Sequence, residues 1–160
     1  MYKSVLNKRK VRGFTLTELM IVISIIGLIS VLAVPNYKRF MLDWQLNGEA
    51  QHFASALRAA RSAAILKNIN VVFAFDMDNN EYFYFEDVDK DGMLDGDEYR
   101  SRIYKIKPGI EIAAYTLSRP FVIFGSKGNS WESGTIVLRN ANSKVKGVRI
   151  YGGTGNITID

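Results

Sequence analysis

The chain has 160 residues, 48% of them apolar, no cysteine and a single histidine. That length suits one ordinary domain with a real core, and the composition excludes a disordered chain, disulfides and thiolate metal sites. The formal charge of +5 suggests a polyanion binder less than it seems, because Lys3, Lys8, Arg9, Lys10 and Arg12 all fall within residues 1–13, and residues 14–160 carry 16 basic and 16 acidic side chains.

The first predicted element is a membrane helix. No charged side chain occurs from Leu19 to Tyr37, and with Phe14 to Thr17 the apolar stretch covers about 24 residues interrupted only by Glu18. At 1.5 Å per residue such a helix spans roughly 36 Å, enough to cross a hydrocarbon core of about 30 Å. The basic flank precedes it, so the positive-inside rule keeps residues 1–13 in the cytoplasm and sends the remainder outward. A secretory signal places its cleavage site after the apolar core, whereas the candidate cut here, Gly13/Phe14, lies before it. Glu18 is a carboxylate inside an apolar helix, which is costly without a partner. A cut after Gly13 would create a free amine at Phe14, and the amine of a neighbouring chain would neutralise Glu18.

The stretch "RGFTLTELMIVISIIGLISVLAVPNY" resembles the N-terminus of type IV prepilins and type II secretion pseudopilins: a short basic leader ending in glycine, then Phe, then a glutamate at the fifth mature position. The resemblance implies cleavage after Gly13 by an inner-membrane prepilin peptidase and N-methylation of Phe14. It implies pairing of Glu18 with the Phe14 amine of a neighbouring subunit during filament assembly, and a helix kink at Pro35. The organisation expected is therefore a cleaved leader at 1–13, a transmembrane and filament-core helix at 14–37, and a periplasmic head at 38–160.

Beyond Pro35 the helical pattern continues. Leu46, Ala50, Phe53, Leu57, Ala60 and Ala64 recur at intervals of three and four, laying one apolar stripe along an amphipathic helix that runs to about Lys67. The stripe suits packing under a sheet of the same chain, and equally a partner-binding face; the downstream strands favour the first reading. Gly27 and Gly48 weaken the helix locally, by about 1 kcal/mol each relative to alanine.

Short β-branched and aromatic runs come next, at 69–75, 81–86, 98–106, 110–115, 121–125, 134–140, 146–152 and 156–159, divided by turn residues such as Asn79-Asn80, Pro108-Gly109 and Gly152-Gly153. Their close spacing predicts antiparallel hairpins. The fold class expected is α+β: a long kinked N-terminal helix packed on an antiparallel β-sheet head, the pilin-like architecture. The tail from Arg119, with its "GTIVL" strand and glycine-turned final hairpin, resembles the GspH/FimT branch of minor pseudopilins and minor pilins.

Between the second and third runs lies "DVDKDGMLDGDE". Asp87, Asp89, Asp91, Met93 (through its carbonyl), Asp95 and Glu98 occupy positions 1, 3, 5, 7, 9 and 12 of a calcium loop, with Gly92 at the turn position 6. Strands flank this loop where a calcium sensor has helices, so a switching role is excluded and a calcium clip joining two strands is expected, the plain alternative being a solvated acidic turn. Calcium is the one cofactor these residues suggest.

The remaining chemistry is sparse. His52 has no accompanying motif and reads as a helix-surface or packing residue. There is no nucleophile elbow or phosphate loop, so no enzymatic role is expected. Arg139, Lys144, Lys146 and Arg149 form a basic cluster that makes DNA binding a weak alternative, because FimT-like tails carry arginines in the last turn where this chain has Asn156 and Thr158. The function expected is structural: a minor pseudopilin of the type II secretion pseudopilus that exports proteins across the outer membrane, partnered by other pilins or pseudopilins, with a minor pilin of a type IV pilus as the alternative.

Overall fold

The structure, a computed structural model, describes residues 13–160 and their side chains except that of Leu32. Residues 1–12, most of the expected leader, lie outside it. The chain divides into two compact units, the first ending at Lys38 and the second running Arg39–Asp160.

One helix, α1 (Leu16–Lys67), supplies all of the helical structure described. Its start is fixed by a capping box: the Thr15 hydroxyl accepts from the Glu18 backbone N–H at 3.2 Å, and the Glu18 carboxylate accepts from the Thr15 backbone N–H at 3.0 Å. Two of the helix's orphan donors are thereby satisfied. Ser24 and Ser30 turn their hydroxyls back onto the carbonyls of Met20 and Ile26, at 2.7 and 2.8 Å, so both serine hydroxyls of the apolar stretch are satisfied within the helix. Pro35 lies inside α1 and withholds the N–H that would bond the Val31 carbonyl. The helix stops at Asn68, whose left-handed backbone (φ 55°) lets the Ile69 N–H reach Ala64 and its own N–H reach Ile65, a Schellman motif.

The second unit places the expected stripe inward. Leu46, Ala50, Phe53, Leu57, Ala60 and Ala64 are all buried, so the face serves the chain's own core. Eight strands complete the unit: β1 (Asn70–Asp76), β2 (Glu81–Asp87), β3 (Tyr104–Lys105), β4 (Ile110–Tyr115), β5 (Phe121–Phe124), β6 (Gly134–Asn140), β7 (Val145–Tyr151) and β8 (Asn156–Ile159). They form two sheets, in the orders β3-β2-β1-β5 and β4-β6-β7-β8, and every pairing is antiparallel, as the expected antiparallel head requires. The core is filled from the helix face and from both sheets. At its centre Phe53 meets Phe73 and Tyr82 edge-on, with ring centroids 5.3 and 4.7 Å apart, and Tyr82 stacks on Tyr104.

One expected strand is corrected. Of residues 98–106 only Tyr104–Lys105 joins the ladder, besides an isolated bridge between Arg100 and Phe85. The cause is Ser101, buried at 5% exposure, whose hydroxyl accepts the Tyr84 N–H at 3.0 Å and donates to the Arg102 carbonyl. A side chain has replaced a backbone carbonyl in the ladder, and regular pairing lapses there.

Two arginines of α1 tie it to β8, to the turn before β8 and to the connection between β5 and β6. Arg58 donates to the Ile157 carbonyl at 3.1 Å, and Arg61 donates to the carbonyls of Gly128 (2.7 Å) and Thr154 (3.0 Å). Glu49 on the same helix is drawn inside, at 3% exposure. Burial pushes its carboxyl above the ordinary glutamate range, with Lys107 and His52 offsetting part of the effect. An acid whose pKa is raised by folding contributes stability that is complete below its unfolded value and is lost as pH rises through its folded value. Glu49→Gln, neutral throughout, should therefore melt higher than the parent chain at neutral pH. The gap should close as pH falls below the unfolded value of about 4.3. Thermal melts followed by near-ultraviolet circular dichroism check this, and a variant no more stable than the parent at neutral pH would contradict it.

Candidate functional site

Two sites emerge, one in each unit. In the first, the residues expected to act in processing and assembly stand at the start of α1. Gly13 and Phe14 precede the helix, both exposed, and Phe14 is 84% exposed. Glu18 sits in the first helical turn, and its carboxylate oxygen Oε2 also accepts from the Thr15 hydroxyl at 3.0 Å. The Thr15 contribution was legible in the sequence, since T-x-x-E before an apolar run is a capping-box signature. Every large apolar side chain described from Leu19 to Val34 is exposed, including Met20, Ile23, Ile26 and Ile29 at more than half of their surface. A helix with such a surface belongs in a bilayer or against other helices, and it is long and apolar enough to cross a membrane.

The second site is the acidic loop at the end of β2. Asp87 closes the strand and is 1% exposed. Its Oδ1 accepts the Gly92 N–H at 3.2 Å, a turn allowed by left-handed backbone at Lys90 (φ 69°) and Gly92 (φ 75°). Carboxylate oxygens of Asp87, Asp89 and Asp91 come within 4.8 Å of one another. Of the five carboxylates expected as ligands, these are the three that the fold gathers. Glu98 instead spans the base of the loop, one oxygen accepting the Val88 N–H at 2.8 Å and the other the Asp95 N–H at 3.3 Å. Met93 donates its N–H to Asp91 and keeps its side chain exposed.

The basic cluster is partly neutralised. Arg139 pairs with Glu111 at 2.6 Å, Lys144 with Asp43 at 2.8 Å and Arg149 with Asp160 at 2.8 Å. These half-exposed pairs are weak individually, but they set carboxylates among the cations that a phosphate backbone would contact. His52 is exposed on α1.

An apolar helix opened by Gly-Phe and a glutamate, continuing as the core helix under antiparallel sheets, defines a type IV pilin-like protein. Residues 49–154 match the family model described as type II transport protein GspH, and residues 8–34 match the prokaryotic N-terminal methylation motif. The chain belongs to the GspH family.

Among solved structures it is similar to the minor pseudopilin EpsH from the type 2 secretion system of Vibrio cholerae (TM-score 0.57, 16% identity, 72% of this chain and 96% of that one). It is also similar to the type IV minor pilin FimU of Pseudomonas aeruginosa (TM-score 0.60, 14% identity, 76% of this chain and 92% of that one). At these identities the likeness establishes the fold. By sequence, a fimbrial protein of Pseudomonas aeruginosa is 37% identical over 71 residues, covering 44% of this chain and 46% of that protein. The fimbrial protein EcpB of Eikenella corrodens is 43% identical over 53 residues, 33% of each chain. The match thus spans less than half the length of these curated relatives.

Proposed function

We propose that the chain is a minor pseudopilin of a type II secretion machine. A prepilin peptidase cuts after Gly13, Phe14 is methylated, and the apolar part of α1 holds the subunit in the inner membrane with its head in the periplasm. Assembly then moves that helix from lipid into a bundle of like helices, where an apolar surface is equally well solvated and the new N-terminal amine meets Glu18 of a neighbour. The observation that carries this reading is the match of residues 49–154 to the GspH model, joined to an exposed apolar helix that opens on the methylation motif.

A second reading, a minor pilin of a type IV pilus, is favoured by the fimbrial relatives and by the likeness to FimU. A strain lacking the chain separates the two. Secreted enzymes trapped in the periplasm, with surface pili intact, support the secretion machine; lost pili with normal secretion support the pilus and overturn the first reading.

A further inference from the structure

We infer that the loop from Asp87 to Glu98 holds a calcium site built on Asp87, Asp89 and Asp91, which pins the first part of the loop to the end of β2. The loop's acidity alone would not carry this, since exposed carboxylates are common at turns. What points to a ligand is Asp87. Its side chain is buried, its Oδ1 is occupied by the Gly92 N–H, and its Oδ2 is buried with no hydrogen-bond partner in the structure. A buried carboxylate oxygen left without donor or cation is costly, and native structures seldom keep one.

The surroundings supply further oxygens. Asp89 and Asp91 bring exposed carboxylates within 4.8 Å of a carboxylate oxygen of Asp87 and of each other. Oxygens so spaced can share one calcium ion, with bonds of about 2.3–2.6 Å. Six carboxylates lie between Asp87 and Glu98 against one lysine, Lys90, so a dication also relieves their mutual repulsion. Glu98 already ties the base of the loop through Val88 and Asp95, which closes the segment that carries Asp89 and Asp91. With so few strong protein donors, two of them exposed to solvent, the site belongs with the weak structural calcium modules of extracytoplasmic domains, at a dissociation constant of about 10⁻⁴–10⁻³ M. Oxygen-only ligands and an open coordination shell suit calcium better than magnesium, which demands tighter octahedral geometry.

The test uses the full chain, extracted in detergent and stripped with a chelator, and reads thermal melting of the head with and without about 5 mM calcium chloride, roughly five times the weakest expected dissociation constant. The expected result is a rise in melting temperature that magnesium chloride at equal concentration does not reproduce. Asp89→Asn/Asp91→Asn alters only exposed side chains, keeps their Oδ1 acceptors and removes two of the mutually repelling charges, so without metal it should melt no lower than the parent while its calcium response is lost. Asp87→Asn should melt higher than the parent without metal, because it removes the buried unpartnered charge, and should also lose the response. Absence of a calcium-induced rise in the parent, an equal rise with magnesium, or an undiminished rise in the double variant would each overturn the inference.

Discussion

Gly155→Val is expected to abolish the cooperative melting transition of the head, or to lower its midpoint by more than about 10 °C. Gly155 turns β7 into β8 with a left-handed backbone (φ 63°), and its N–H bonds the Tyr151 carbonyl at 2.8 Å. A Cβ there would collide with the Gly128 carbonyl oxygen and come within 2.9 Å of the Arg61 Nε. Those two atoms are the acceptor and donor of the bond that ties α1 to the turn, so the clash cannot be relieved without breaking it. A β-branched residue in left-handed backbone costs about 1–3 kcal/mol, and forced overpacking a similar amount. Their sum is a large fraction of the roughly 5–15 kcal/mol that holds a domain together. Gly153→Ala is the control: the backbone is left-handed there too (φ 76°), but no atom lies within 4 Å of the added carbon. It should cost about 1 kcal/mol, the conformational part alone. If both variants melt alike, the close approach at Gly155 is not what the turn depends on.

Glu18→Gln is expected to leave the subunit folded and inserted in the membrane, yet reduce its recovery in assembled filaments by at least about tenfold, equivalent to 1.4 kcal/mol. The structure gives Glu18 a local role that competes with this explanation, because its carboxylate completes the capping box with Thr15. Loss of such a cap costs about 0.5–2 kcal/mol. Glutamine fills the same capping position, so it keeps the local hydrogen bonds and removes only the charge. Glu18→Ala removes both. If Glu18 acts by pairing with a neighbour's amine, the two variants fail together in assembly. If it acts only as a cap, glutamine assembles normally and alanine does not. Neither should alter head melting, since the described hydrogen bonds of the Glu18 side chain go to Thr15 alone.

The helix was the most legible part of the sequence. Its stripe from Leu46 to Ala64 repeats at helical spacing, and a repeating pattern survives any local irregularity; all six residues are buried. The sheets were legible as strands and not as sheets. Alternation marks which face of a strand is apolar, but β5 pairs with β1 across a long stretch of chain, and nothing local in Phe121–Phe124 names that partner. The segment from Glu98 to Ile106 misled for a related reason: its alternating side chains suit a strand, while the Ser101 hydroxyl, placed by tertiary packing, takes over a ladder hydrogen bond. At the N-terminal site the motif was readable from Gly13, Phe14 and Glu18, and the bond from Thr15 was written in the same few residues. In the acidic loop, spacing marked six potential ligands from Asp87 to Glu98, yet only the fold shows three gathered and Glu98 bracing the loop. Arg61 carried no signal at all, because its partners at Gly128 and Thr154 are distant backbone carbonyls.

Processing and assembly through the N-terminal helix are checked by an intact mass spectrum of the protein extracted from its native membrane. The expected chain begins at Phe14 and carries one N-terminal methyl group. A chain that retains residues 1–13, or one cut on the far side of the apolar stretch, would contradict it.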